Sequence, residues 1–79
     1  MAVRAYVLIE TRVGKTREVV EAIRRLEGVA SVDAVTGPYD VIATIEEETL
    51  NEIGELVTAK VHPISGISRT VTCLAIEGS

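Results

Sequence analysis

Val29-Ala30-Ser31-Val32-Asp33-Ala34-Val35-Thr36-Gly37-Pro38-Tyr39-Asp40-Val41-Ile42-Ala43-Thr44-Ile45 is the stretch on which the fold turns. Both of its ends are rich in β-branched residues, and both read as strands. Gly37 and Pro38 between them mark a turn. The reading is a strand over Val29–Val35, a turn, and a strand over Tyr39–Ile45. It places a tyrosine and a carboxylate at the mouth of a sheet. Elsewhere the chain is poor in reactive side chains, so a site, if present, is expected at this loop.

Working outward, Val3–Ile9 is apolar and β-branched, and reads as a first strand. Lys15–Glu27 carries Val19, Val20, Ile23 and Leu26 at helical spacing, and Gly28 follows as a stop. Thr49-Leu50-Asn51-Glu52 matches a capping box, and Leu50, Ile53, Val57 and Val61 form the apolar stripe of a second helix. Pro63 and Gly66 break the chain before a last strand over Ile67–Ile76. The order β-α-β-β-α-β predicts a ferredoxin-like α+β fold. Right-handed crossovers put the first and third strands in the centre of a four-stranded antiparallel sheet, with two helices on one face.

Residues 1–79 are expected to form a single domain. A chain this short buries only about 60% of its unfolded surface. Its single cysteine excludes an internal disulfide, and no cysteine–histidine spacing suggests a metal. Apolar residues make up 47%, yet Trp and Phe are absent, so the core must be aliphatic. A net charge of -4 argues against direct contact with nucleic acid, whose phosphates attract basic surfaces. No apolar run reaches the length of a membrane span. Met1-Ala2-Val3-Arg4 has no secretory pattern, and a lone cysteine suits a reducing compartment, so a soluble cytoplasmic protein is expected.

The sheet face away from the helices should alternate towards polar residues if it is wet. Instead both faces of the strands are apolar near their middles. Tyr6 and Leu8, Ile42, and Leu74 are assigned to the open face. An exposed apolar patch of that kind marks an interface. The expectation is a homodimer packed through open sheet faces, extended into a larger ring by edge contacts.

The element order, Val35-Thr36-Gly37-Pro38-Tyr39-Asp40-Val41-Ile42 and Ile67-Ser68-Arg69-Thr70-Val71-Thr72 together resemble the ligand-binding (RAM) domain of the Lrp/AsnC transcription regulators. The resemblance covers almost the whole chain, and its most specific element is Gly37-x-Tyr39-Asp40. It implies an amino-acid effector bound between dimers that often assemble as octamers or decamers. Family regulators also carry an N-terminal helix-turn-helix. Here the first strand begins near residue 3, so the chain looks like a stand-alone RAM module, acting on transcription only through a full-length partner regulator.

A free amino acid presents an ammonium and a carboxylate, and burying either unpaired costs several kcal/mol. Asp40 is the candidate for the ammonium and the backbone amides of Gly37 or Tyr39 for the carboxylate. Gly37 admits a close approach and Tyr39 offers an apolar wall with a polar tip. Thr36 belongs to the same hairpin, and Thr70 and Thr72 supply hydroxyls from the last strand. Against this, Gly37, Pro38 and Asp40 also suit a plain turn, and Thr70 and Thr72 are good strand formers. His62 reads as a helix-exit or surface residue and Cys73 as a small core or interface residue. No cofactor, metal site or catalytic group is assigned. The alternatives are an interaction module that binds no small molecule, and a small dimeric α+β barrel enzyme, for which no nucleophile–base pair is found.

Overall fold

The computed structural model describes residues 2–76; Met1 and residues 77–79, which the single-domain reading includes, lie outside the described residues. The elements are β1 (Val3–Thr11), α1 (Thr16–Arg24), β2 (Val29–Ala34), β3 (Val41–Glu47), α2 (Leu50–Glu55) with a π-helical continuation (Leu56–Val61), and β4 (Ile67–Leu74). They form one antiparallel four-stranded sheet in the order β2-β3-β1-β4, with β1 and β3 central as the crossover argument expects.

Register decides which residue faces which layer. Ala5, Val7 and Ile9 stand opposite Ile45, Ala43 and Val41, and all are buried against the helices. Val19, Val20 and Ile23 of α1, and Ile53, Leu56, Val57 and Val61 of the second helical segment, close this core from above. Directly opposed residues in an antiparallel pair share a face. Thr70, Thr72 and Leu74 oppose Ile9, Val7 and Ala5, so all three lie on the helix side of the sheet. This corrects the placement of Leu74 on the open face. The residues beside Leu8 and Tyr6 there are Val71 and Cys73.

Several boundaries differ from expectation for local reasons. The first helix ends at Arg24 rather than Glu27, because Leu26 N–H already bonds to Ile23 C=O (3.0 Å) in a tighter turn before Gly28. Tyr39 and Asp40 precede β3 instead of opening it, since Val35 N–H bonds to Asp40 C=O (2.9 Å) and closes the loop between them. The capping box forms as read: Glu52 N–H donates to Thr49 Oγ1 (3.1 Å), and Glu52 Oε1 accepts from Thr49 N–H (3.0 Å). Leu50 departs from its assigned stripe and is 56% exposed. Beyond Glu55 the helix widens, and His62 N–H reaches Val57 C=O (2.8 Å), five residues back. Among the described residues no helix is long and apolar enough to cross a membrane.

Two glycines differ in what they tolerate. Gly66 has φ +99°, and a Cβ there would sit 2.9 Å from Lys15 Cβ and 3.2 Å from Val19 Cγ2. Gly54 lies inside α2 with open space around it. Gly66→Ala is therefore expected to cost about 1–3 kcal/mol, through strain and overlap. Gly54→Ala should add about 0.5–1 kcal/mol by removing backbone entropy from the unfolded chain. Thermal unfolding of both variants checks the opposite signs.

Candidate functional site

The hairpin loop owes its shape to Gly37, whose φ of +121° is closed to residues with a Cβ, although nothing lies within 4 Å of where one would stand. The demand at this position is backbone conformation rather than room. Asp40 N–H donates to Ile9 C=O (2.9 Å), which continues the sheet to the edge of the loop. The N–H groups of Gly37 and Tyr39 take no backbone partner among the described residues.

Asp40 does more than turn the chain. Its Oδ2 accepts from Thr11 N–H (2.8 Å) and from Thr11 Oγ1 (3.3 Å). Thr11 Oγ1 also shares a hydrogen bond with Thr16 Oγ1 (2.8 Å). The carboxylate thus ties the loop to the end of β1 and, through Thr11, to the first turn of α1. Both bonds fall on Oδ2, which leaves Oδ1 for an incoming cation. Thr11 and Thr16 went unnoticed in the sequence because neither belongs to a recognisable pattern with Asp40.

Tyr39 points to the open side of the sheet, where Arg69 Nη2 donates to its hydroxyl at 3.5 Å. Arg69 Nε lies 3.7 Å from Glu10 Oε2, and the two residues are cross-strand neighbours. The Tyr39 hydroxyl, and then the charge of Glu10, push the guanidinium pKa further up, so Arg69 carries its charge at any ordinary pH. Arg69 lies within Ile67–Thr72, where residue type alone does not mark it as a site residue. The signal available was parity, since Arg69 alternates with Thr70 and Thr72 and must face the other way.

Thr36, Gly37, Tyr39 and Asp40 therefore gather at one end of the sheet, while Thr70 and Thr72 of the same chain do not join them. Thr70 Oγ1 shares a hydrogen bond with His62 Nε2 (3.1 Å) at the exit of the π-helical turn. Thr72 lines an apolar groove between β4 and α2, with Leu50, Ile53, Val57 and Leu74. On the open face Tyr6, Leu8, Ile42, Val71 and Cys73 occupy the middle. Arg4 closes one end by bonding Glu46 Oε2 through Nε and Nη2 (both 3.1 Å), and Glu10 with Arg69 closes the other. No group of three or more His, Cys, Asp or Glu converges among the described residues to hold a metal.

Asp40→Ala removes the acceptor of a part-buried N–H and is expected to lower stability by about 1–2 kcal/mol. Asp40→Asn keeps an acceptor oxygen and should lose less than half of that. Comparing the two unfolding midpoints separates the carboxylate's fold-holding role from its charge.

Residues 4–78 match the family described as the Lrp/AsnC ligand binding domain. An HTH-type transcriptional regulator of Pyrococcus horikoshii is 37% identical over 59 residues, which cover 75% of this chain and 39% of the relative. The chain thus spans about two fifths of the length of the curated relatives it matches. A crystal structure from Thermus thermophilus superposes with a TM-score of 0.92 at 36% identity, covering 98% of this chain and 96% of that one. A transcriptional regulator of Neisseria meningitidis, solved as a complex with L-methionine, shares the fold at a TM-score of 0.84 and 18% identity, over 95% of this chain and 50% of that one. By the match across nearly its whole length, with the fold and hairpin described above, this chain belongs to the Lrp/AsnC family through its ligand-binding domain.

Proposed function

We propose that the protein binds a small effector, most simply a free amino acid, at the hairpin of Thr36, Gly37, Tyr39 and Asp40, and couples that binding to its own assembly. The observation that carries this reading is the loop itself. It is held rigidly by Asp40 while its exposed side offers free backbone N–H groups, a carboxylate oxygen and a tyrosine ring. Rigid scaffolds that present such loops commonly bind ligands there. The methionine complex of the Neisseria meningitidis regulator is in keeping with an amino acid as the ligand class. In this reading Thr70 and Thr72 join the site from a neighbouring copy, since in their own chain Thr70 bonds to His62 and Thr72 lines the groove beside α2.

Assembly follows from the open face. Tyr6, Leu8, Ile42, Val71 and Cys73 would sit in water on an isolated chain, and packing two such faces together removes them from it. The charged pairs at the two ends, Arg4 with Glu46 and Glu10 with Arg69, suit a polar rim around an apolar centre. A ligand that binds only where two dimers meet must stabilise the larger assembly, by linkage. The reading includes a cytoplasmic setting and no catalytic step. The protein would touch transcription through a full-length regulator of its own family rather than by contacting DNA.

The chain's likeness to the ligand-binding part of HTH-type regulators favours one other reading, a module that co-assembles with such regulators and binds no effector. Thermal unfolding with each proteinogenic amino acid in turn separates the two. A ligand at about a hundred times its dissociation constant adds about 2.7 kcal/mol, or several degrees for a domain of this size. A selective rise supports the sensor, and a flat response at millimolar ligand supports the co-assembly module.

The dimer is tested by Leu8→Glu, which sets a charge in the middle of the open face. Sedimentation velocity should show the variant monomeric at concentrations where the parent chain is dimeric. A variant that stays dimeric would remove the open face from the interface.

A further inference from the structure

An amino-acid zwitterion carries both signs of charge, and Asp40 with backbone amides supplies only one full counter-charge. We propose that Arg69 is the carboxylate anchor of the hairpin site, a role that rests on the small-effector reading above. The class of ligand it selects is a molecule with a free α-carboxylate beside an ammonium.

Arg69 is the cation that the described residues place in contact with the hairpin. It reaches from β4 across the end of β1 to the hydroxyl of Tyr39 (3.5 Å). Of the other cations, Arg4 pairs with Glu46 at the far end of the sheet and Lys15 with Glu18 on α1, and the side chains of Arg12, Arg17, Arg24, Arg25 and Lys60 make no hydrogen bond or ion pair with the hairpin among the described residues. Arg69 is also under-used where it stands. Its bond to Tyr39 is at the long limit for a hydrogen bond, and its approach to Glu10 is 3.7 Å. Its side chain is 61% exposed, and an ion pair of that length and exposure contributes little to stability. The guanidinium fork therefore keeps donors free for a planar, bidentate acceptor, the geometry a carboxylate provides. Tyr39 is the hairpin residue that the fork reaches, and Asp40 adjoins it in the same loop. The hairpin loop supplies the negative charge and β4 the positive one, and Tyr39, which touches Arg69 and precedes Asp40, links the two.

Glu10 becomes a competitor in this arrangement. Its carboxylate lies 3.7 Å from the group that the ligand's carboxylate would take, so it competes for Arg69. Neutralising Glu10 should tighten the site, whereas a purely structural Glu10–Arg69 pair would predict no gain.

The experiment is calorimetric titration of the full chain with each proteinogenic L-amino acid and, for every one that binds, with its α-carboxamide. Arg69→Gln is expected to weaken binding of the free acid by roughly tenfold or more and to leave the weaker binding of the amide unchanged. Arg69→Lys should retain part of the affinity for the acid, and Glu10→Gln should raise it. Unfolding midpoints of the three variants, measured alongside, are expected to stay within a few degrees of the parent. If the parent binds an amino acid and Arg69→Gln binds it equally well, the hairpin site stands and the anchor is overturned. If Arg69→Gln weakens acid and amide alike, Arg69 only shapes the loop and the anchor is again overturned. If no amino acid binds the parent chain, the effector reading itself fails and the anchor with it.

Discussion

The register of β1 between β3 and β4 is the constraint on which the rest of the molecule depends. Ala5, Val7 and Ile9 are wholly buried because each stands opposite a small or branched apolar residue of β3 and beneath the helices. A strand's side chains alternate with a period of two, so a slip of one residue would carry this whole column to the open face. The same register orients β4. It sends Thr70, Thr72 and Leu74 to the helix side, and it turns Arg69, Val71 and Cys73 to the open side. The apolar patch, the charged rim and the meeting of Arg69 with Tyr39 all follow from one pairing scheme.

The hairpin is tied to that sheet by the Asp40 carboxylate and by backbone bonds from Asp40 N–H to Ile9 C=O and from Val35 N–H to Asp40 C=O. Asp40 sits where β1 ends and α1 begins, and its bonds to Thr11 bring three chain segments to one point. The residue holds the fold through Oδ2, and in the proposed site Oδ1 would meet the ligand. The reading of Asp40 as a plain turn residue and the reading of it as a binding residue are compatible, because both hydrogen bonds fall on Oδ2. Loop residues earn binding roles most readily when the backbone around them needs no reorganisation.

Small size shapes the remainder. The core is aliphatic, and in so short a chain it leaves much apolar surface uncovered. The fold has helices for only one side of its sheet. In the proposed assembly a second copy covers the other side. The likeness to far longer HTH-type relatives concerns this domain alone.

The sequence by itself determined the element order, the single-sided helical layer, the capping box at Thr49 and Glu52, and the hairpin with its tyrosine and carboxylate. These are local properties: periodicity, turn residues and caps act within a few positions of one another. The tertiary structure alone decided how β4 lies against β1, because residues far apart in sequence, such as Glu10 and Arg69, meet only when the strands pair. Parity showed that Thr70, Thr72 and Leu74 share a face, but not which face, and the pairing with Ala5, Val7 and Ile9 settled it. The π-helical turn that carries His62 to Thr70 was equally hidden, since Leu56–Val61 has the composition of an ordinary helix. Arg69 emerged in the same way: its chemistry was plain in the sequence, and its neighbour, Tyr39, was supplied by the fold.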